Sequence, residues 1–213
     1  MGLNKGANRT WLNVGFGKIR QKAKAGDPDV VERTLQDGTK SYAIEYQSLD
    51  GKLDTIYMKT HHEYGNSWMV IISDGEVSYG LQITENSRYG ADLLRRIPNL
   101  KKGEIYKFSP YAFIPQGETD EKVGLSIKTV GDEKVQSYFQ TFEQGPDGKI
   151  KVTNINGFPT YAGERNDKDA LKIYFIGVTK FLRAFAQSYL KSAQFEAPPE
   201  HPVATEVESD LPF

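Results

Sequence analysis

The chain has 213 residues, with 27 Lys and Arg against 28 Asp and Glu, and it contains no cysteine. This length predicts one domain with appendages and a core that needs no covalent staple. The lack of cysteine excludes disulfide scaffolds, Cys-ligated zinc, iron–sulfur clusters and cysteine nucleophiles. No apolar run approaches the ~18 residues of a membrane span, and residues 1–10 contain no apolar signal core, so we expect a cytoplasmic protein without a membrane partner.

The charges are segregated along the chain. Residues 196–213 hold five acidic side chains and no Lys or Arg, which leaves 27 basic against 23 acidic side chains on residues 1–195, a net charge of +4. Such an asymmetry distinguishes a mildly basic body from an acidic tail. Prolines and acids in the tail predict a disordered segment, so we divide the chain into a domain at 1–195 and a tail at 196–213.

The first strand pattern covers residues 11–20, where apolar and polar side chains alternate. Gly15 and Gly17 indicate a bulge within this strand. Its predicted core-facing side chains are Leu12, Val14 and Phe16. Residues 21–40 are predicted to form a long loop.

Further strands follow, separated by turn signals. They are predicted at residues 41–48, 54–60, 67–73, 77–83, 104–113, 122–130, 135–142 and 149–155. Asp50-Gly51 and Asp74-Gly75 each predict a hairpin. The core-facing side chains predicted in these strands are Ile56, Met58, Leu81 and Ile83.

Two helices are predicted. A short one spans residues 86–97, and a long amphipathic one spans residues 166–195 with Asn166 or Asp167 as its cap. We expect Phe175 and Phe185 to pack the long helix onto the strands, although a dimerisation helix, and hence a homo-oligomer, is an alternative. The order of strands around the short helix predicts a mainly β fold, an OB-fold-like five-stranded barrel with extra strands.

No catalytic or cofactor motif is present. The chain contains no phosphate-binding loop, no dinucleotide fingerprint and no nucleophile elbow. His61 and His62 are adjacent, so on a strand they would point to opposite faces and could not simply share a metal ion. We therefore predict no enzymatic activity, no metal and no cofactor.

A binding surface is the remaining possibility. Aromatic side chains alternate with basic ones on several predicted strands, as in Tyr57 and Lys59, and this combination suits single-stranded nucleic acid because rings stack on bases while cations contact phosphates. The candidate DNA-binding residues are Trp11, Lys18, Arg20, Lys22, Lys24, Tyr57, Lys59, Lys101, Lys102, Tyr106 and Lys107.

The final residues carry a resemblance to a known family. Asp210-Leu211-Pro212-Phe213 follows Glu206 and Glu208 and resembles the acidic tip of bacterial single-stranded DNA-binding proteins, which typically ends Asp-Ile-Pro-Phe. Some phage replication proteins of this class also end in an acidic tail with a terminal Phe, and the body looks like a phage-type OB-fold member. The resemblance implies that Asp210, Leu211, Pro212 and Phe213 recruit replication, repair or recombination proteins, and that the tail competes with DNA.

These observations predict a non-enzymatic protein that coats single-stranded DNA without strong sequence preference during replication or recombination. We expect it to be phage-encoded and to act in the cytoplasm of a bacterial cell. The alternatives are a recombination annealing protein, a β-rich interaction or virion protein with a merely solvating tail, and an enzyme such as a nuclease, for which no assembled carboxylate motif is visible.

Overall fold

The computed structural model describes residues 9–195 except 36, 63, 64, 76, 147, 149, 165 and 194. About 45% of the described residues are in strands and 20% in helices, so the predicted mainly β class is confirmed. The predicted tail at 196–213, including its tip, lies outside the described residues. Among the helices described, none combines the length and apolar character required to cross a bilayer.

Eleven strands and two α-helices make up the described chain. The strands are β1 (Arg9–Gly15), β2 (Lys18–Lys22), β3 (Val30–Thr34), β4 (Lys40–Tyr46), β5 (Leu49–His61), β6 (Gly65–Ser73), β7 (Ser78–Thr84), β8 (Ile105–Phe113), β9 (Lys122–Thr129), β10 (Gln140–Gln144) and β11 (Ile150–Asn154). The helices are α1 (Arg88–Leu94), a 3₁₀ helix at Ile97–Asn99, and α2 (Lys168–Ser192).

Nine of these strands form one curled, open sheet. Their order is β3-β4-β2-β1-β7-β6-β5-β8-β9, and every pairing is antiparallel except that of β1 with β7, while β10 and β11 form a separate hairpin. The sheet curls until the β1–β2 turn meets β8, where a Cβ on Gly17 would lie 2.5 Å from the backbone nitrogen of Ala112. The result is a half-barrel in which the β1–β2 turn and β8 are in contact.

The strand predicted at residues 11–20 is wrong, because the chain reverses in the middle of it. Phe16 and Gly17 have φ values of 55° and 70°, the paired positive values of a type I′ turn, so β1 and β2 form a hairpin. Phe16 at the turn is 50% exposed rather than part of the core. Leu12 is buried as predicted, and Val14 packs partly buried against the core.

The structure confirms some of the other predicted turns and strands and contradicts the rest. Asp74-Gly75 lies between the paired strands β6 and β7, which confirms that hairpin. Asp50-Gly51 lies inside β5 instead, because β4 pairs with β2 and β3 while β5 pairs with β6 and β8. Residues 21–40 contain β3 rather than a long loop. The strand predicted at 135–142 begins only at Gln140.

The core fills the concave side of the half-barrel and continues under α2. Ile56, Leu81 and Ile83 are fully buried as predicted, and Met58 packs partly buried at the edge of this core. The largest fully buried side chains of the core are Trp68, Tyr106, Phe108 and Phe139. Burying this apolar surface is the main stabilising contribution to the fold.

The long helix packs on the core through one stripe. Asp167 caps it by accepting a hydrogen bond from the Ala170 amide, as one of the two predicted caps. The side chains buried along the stripe are Val178, Leu182, Ala186 and Leu190. Phe139 lies at the centre of an aromatic cluster, with ring centroids between 5.0 and 5.8 Å from those of Tyr138, Phe158, Phe181 and Phe185. Phe185 therefore packs the helix as predicted.

Phe175 does not pack the helix onto the sheet. It is 58% exposed, because the buried part of its helical stripe begins only at Val178, three residues further along α2. The helix is instead anchored by a buried ion pair, in which Arg183 Nε donates to Glu85 Oε1 at 2.6 Å and Nη2 donates to Oε2. The Glu85 side chain is 1% exposed, so removing Arg183 would leave a buried charge uncompensated.

Candidate nucleic-acid interface

The sheet ladder determines which predicted side chains share a face. Residues paired across neighbouring strands point to the same side of a sheet, and side chains alternate along each strand. We call the convex side of β2, β1, β7, β6 and β5 the outer face. It lies opposite the core row in which Leu12 pairs with Leu81, Leu81 with Val70, and Val70 with Ile56.

Three neighbouring rows cross the outer face. The residues of the first are Trp11, Gly80, Ile71 and Thr55; of the second, Arg20, Asn13, Gln82, Met69 and Tyr57; of the third, Thr84, Ser67 and Lys59. Lys18 and Lys22 share the face of Arg20 by strand alternation. The structure therefore places Trp11, Tyr57 and Lys59 on one face with the cations of β2, although the residues between them on β6, Ser67, Met69 and Ile71, are buried.

The indole ring of Trp11 lies against Gly80 of the neighbouring strand. A Cβ on Gly80 would overlap the indole ring, so the missing side chain of Gly80 creates the space that the ring occupies. The ring remains 53% exposed, and Arg9 sits over it at 5.5 Å from the centroid. Arg9 Nε also donates to Ser78 Oγ at 3.1 Å, which fixes the guanidinium beside the indole.

Tyr57 lies within the electrostatic reach of the same arginine. Burial raises the pKa of the Tyr57 hydroxyl, and the positive charge of Arg9 partly offsets that rise. Arg9 was missed in the sequence analysis, although its position two residues before Trp11 on one strand places both side chains on the same face. Two aromatic rings and one guanidinium thus form the centre of the outer face.

The lysines surround this centre. Lys22 and Lys59 are exposed, and Lys18 Nζ donates to Gln47 Oε1 at 2.7 Å. Lys24 follows β2 in an exposed turn, where its backbone amide donates to Asp27 Oδ2 at 2.8 Å. These side chains give the rim of the face a positive charge that can contact phosphates.

Arg20 has a structural role in addition to its place on this face. It is buried, and its Nε lies 3.2 Å from Glu45 Oε1. Arg33 donates two hydrogen bonds to the same carboxylate, at 2.7 and 2.9 Å, and they hold the pKa of Glu45 below its usual range. Arg20 therefore shares the single carboxylate of Glu45 with Arg33, and the three side chains together keep one net positive charge.

Phe16 is a further exposed ring that the sequence analysis had placed in the core. The guanidinium carbons of Arg20 and Arg33 lie 5.1 and 4.8 Å from its centroid. An exposed Phe flanked by two cations at a hairpin tip combines the two side-chain types that contact single-stranded nucleic acid. The signal available in the sequence was the Phe-Gly pair between two alternating runs, which also fits a two-residue turn.

The second predicted group does not form a stacking surface. Tyr106 is 2% exposed and packs edge-on against Phe108, so the prediction that it presents a ring to DNA is wrong. Its hydroxyl accepts a hydrogen bond from the Lys101 amide and donates one to Glu104, and burial raises the pKa of Tyr106 to about 12. The reason is alternation on β8, which turns Tyr106 and Phe108 inward and Lys107 outward.

The lysines of this group lie away from Trp11. Lys101 Nζ is 3.4 Å from Glu104 Oε1, and Lys102 is exposed in the same turn before β8. Lys107 lies opposite Asp50 and Lys128 in the ladder, on another part of the sheet. These three lysines are not brought together with the aromatic centre.

Within the described residues, no group of three or more His, Asp or Glu side chains is placed to hold a metal ion. Comparisons with known proteins found no match to this chain among protein-family models, curated proteins or solved structures.

Proposed function

We propose that this chain is a non-enzymatic single-stranded DNA-binding protein that coats DNA during replication or recombination. The observation that carries the proposal is the exposed ring of Trp11, which lies against Gly80, has the Arg9 guanidinium over it and shares its face with Tyr57. Single strands expose base faces that can stack on such rings, whereas bases in a duplex are already stacked. Lys18, Lys22 and Lys59 would contact the backbone phosphates.

The strand order supports an OB-fold assignment as part of this proposal. β5, β6 and β7 are consecutive and adjacent, and β8 returns to lie beside β5, which is the spatial order of a Greek key. β9 adds a fifth strand, and α1 lies between the third and fourth. In OB-folds the second and third strands carry the ligand face, and here these are β6 and β7. The outer-face side chains of β6 are buried, so the exposed rings on this face come from the neighbouring strands β1 and β5.

The resemblance of the tail supports the biological setting. We propose that Asp210, Leu211, Pro212 and Phe213 bind replication, repair or recombination proteins, that the protein is phage-encoded, and that it acts in the cytoplasm of a bacterial cell. A Phe anchor with neighbouring carboxylates suits a partner pocket that is apolar and has a basic rim.

Oligo-dT binding followed by fluorescence anisotropy tests the proposal. Trp11→Ala and Tyr57→Ala should each weaken binding by about 1–3 kcal/mol because one stacked ring is removed. Phe142→Ala is the matched control, since Phe142 is 54% exposed on the separate hairpin and should not contact DNA. Wild-type affinity in both outer-face variants would show that this face does not bind DNA.

Salt dependence tests the lysines separately from the rings. The slope of log affinity against log salt should be about −0.7 for each phosphate neutralised. Lys59→Ala should flatten this slope, whereas Lys151→Ala on β11 should leave it unchanged. An annealing assay with complementary strands would then separate a coating protein from a recombination annealing protein, which would use the same face.

One observation favours a second candidate, a protein-interaction module. The apolar side chains Phe142, Ile150 and Val152 share one face of the β10–β11 hairpin and are all exposed. An uncovered apolar face of this kind is typical of a surface that contacts another protein. If the protein fails to bind oligo-dT at low salt, the interaction module replaces single-stranded DNA binding as the proposed function.

A further inference from the structure

The first half of α2 presents a groove that the proposed DNA interface does not use. Two neighbouring rows of side chains, each at a spacing of four residues, run along this face of the helix. One row consists of Lys168, Lys172, Ile176 and Lys180, and the other of Leu171, Phe175, Thr179 and Arg183. Both rows and Asn86, which follows β7, line a single open groove.

The floor of this groove is apolar and uncovered. Phe175 and Ile176 lie side by side and are both exposed, just before the point at which the buried stripe of α2 begins at Val178. Large apolar side chains that remain together at the surface favour contact with another segment. Phe175 also forms one wall of the cleft between α1 and α2, so a side chain placed beside it has apolar surface on two sides.

The rim of the groove is positively charged. Lys168, Lys172 and Lys180 are exposed, and in the part of the chain that the structure describes no ion pair involves any of them. Arg183 is already paired with Glu85. The groove therefore offers three available cations around an apolar floor, which suits a segment containing both carboxylates and large apolar side chains.

Residues 196–213 of the same chain have this composition. They contain five acids and no Lys or Arg, and Leu211 and Phe213 lie next to the last of those acids. We propose that this acidic tail folds back and docks in the α2 groove of its own chain, with Phe213 or Leu211 against Phe175 and with Glu206, Glu208 and Asp210 near the lysines.

The reach of the tail is sufficient for this docking. The described chain continues to Phe195, next to the end of α2 at Ser192. From Ser192 back to Ile176 the helix rises about 24 Å. An extended segment spans about 3.3 Å per residue, so Glu206 to Phe213 lie about 36–60 Å along the chain from Phe195 and can reach the groove with slack.

An acidic peptide fits the groove better than DNA does. A nucleic-acid surface would place aromatic rings among several cations, whereas this floor combines one ring with the aliphatic side chains of Leu171 and Ile176. The docking proposal does not depend on DNA binding, because it can be tested with the protein alone.

Paramagnetic relaxation in the full-length protein tests the proposal. The chain has no cysteine, so Thr205→Cys provides a single attachment point for a nitroxide in the tail. We expect the amide signals of residues 171–180 to lose intensity relative to the reduced, diamagnetic label. The loss should diminish in 0.5 M salt because the ion contacts are screened.

Variants of the groove identify the contacts. Phe175→Ala, and separately the pair Lys172→Glu with Lys180→Glu, should abolish the intensity loss, whereas Ile173→Ala should retain it. Ile173 is the matched control because it is exposed on the same helix but does not line the groove. All four substituted positions are exposed, so the fold should be retained, and the remaining amide spectrum verifies this.

Three outcomes would overturn the proposal. The first is an intensity loss on the outer face instead of the groove, or no loss at all. The second is an intensity loss that appears only in a mixture of two samples, one enriched in ¹⁵N without a nitroxide and the other carrying the nitroxide. That result would assign the groove to the tail of another copy. The third is a groove that shows no tail contact while oligo-dT shifts its amide signals, which would identify DNA as the occupant.

Discussion

At the scale of single residues, a glycine determines the shape of the proposed stacking surface. The Trp11 ring can lie against β7 only because Gly80 has no side chain at that point. The ring remains 53% exposed, and the Arg9 guanidinium lies over it at 5.5 Å from the centroid. In the proposed interface, Gly80 would therefore control the position of the stacking ring without contacting DNA itself.

Gly80→Ala should therefore reduce DNA affinity without disturbing the core. The φ of Gly80 is not positive, so the backbone accepts alanine, but the new methyl group would tilt the indole off the sheet. We expect oligo-dT affinity to fall by up to the effect of Trp11→Ala, measured by anisotropy. Gly177→Ala is the control, since a Cβ there meets nothing within 4 Å. Unchanged affinity of the Gly80→Ala protein would argue against stacking on Trp11.

Tyr106 illustrates a buried phenol with a measurable effect on stability. Its folded-state pKa is raised to about 12 by burial, against about 10 in the unfolded chain. The stabilising contribution of the protonated hydroxyl is therefore complete below pH 10 and is lost as the pH rises towards 12. Tyr106→Phe should lower the free energy of unfolding by about 1 kcal/mol at pH 7, because the two hydrogen bonds of the hydroxyl are lost.

The pH dependence separates this effect from simple loss of packing. Urea unfolding of the two proteins at pH 7 to 11 should show the difference between them shrinking above pH 10, because phenylalanine has no proton to lose. A constant difference across this range would mean that Tyr106 does not titrate differently in the folded state.

At the scale of elements, the β1–β2 hairpin is attached at its tip. The Gly17 amide donates a buried hydrogen bond to the Tyr89 hydroxyl of α1 at 2.8 Å. The same glycine touches the backbone of β8, and its positive φ disfavours any other residue. The tip thus connects the helix, the hairpin and the closing side of the half-barrel.

Substitutions at this contact should destabilise the protein. Tyr89→Phe leaves the buried Gly17 amide without a partner, at a cost of about 1–3 kcal/mol. Gly17→Ala should cost more than the about 1–2 kcal/mol of its backbone conformation, because its Cβ would also overlap Ala112. Gly26→Ala isolates the conformational part, since Gly26 has a φ of 89° and open space around it. Equal denaturant midpoints for the two glycine variants would contradict the close approach.

The sequence predicted the elements that depend only on neighbouring residues, through strand alternation, turn dipeptides and helical spacing. The alternation in β1 placed Leu12 inside and Trp11 outside, Asp74-Gly75 formed its hairpin, and the helical spacing after Asp167 defined α2. The Phe16-Gly17 turn was missed because a bulky residue at positive φ is rare. The parallel pairing of β1 with β7 joins residues about 70 positions apart, and no periodicity within either strand could indicate it.

The same distinction applies to the candidate site. Alternation was enough to put Tyr57 and Lys59 on the face opposite Ile56, but the burial of Arg20 depends on Glu45 and Arg33 from two other strands. Tyr106 was assigned to a basic-aromatic group because its neighbours are lysines, yet its own alternation with Phe108 points it into the core. Composition over a short window could not distinguish these cases.

At the scale of the whole molecule, the separation of charge predicts how the tail influences DNA binding. Removing residues 196–213 deletes five acids and leaves a body of net charge +4. Oligo-dT affinity should rise, most clearly at low salt where screening is weak. The free energy of unfolding should hardly change, since this segment has few apolar side chains. A truncated protein that binds DNA no more tightly at low salt would contradict this electrostatic effect of the tail.

Phe213→Ala should distinguish the effect of the apolar anchor on partner binding from the effect of the acidic side chains on DNA affinity. The substitution removes an aromatic anchor but no charge, so binding of replication proteins should fall sharply while DNA affinity changes little. Pull-down from an infected-cell extract, with wild-type and truncated proteins in parallel, measures the first effect, and anisotropy measures the second. Retention of the same partners by the Phe213→Ala protein would remove the docking role of this residue.

The two tryptophans occupy opposite environments, and this makes the protein its own spectroscopic reporter. Trp68 is fully buried, whereas Trp11 is more than half exposed, and the chain contains no other indole. Trp68 should emit at shorter wavelength and resist iodide, while Trp11 emits to the red and is quenched. A base stacked on Trp11 should extinguish the red component alone, so the spectrum should shift to the blue as oligo-dT is added and Trp68 supplies the internal intensity standard.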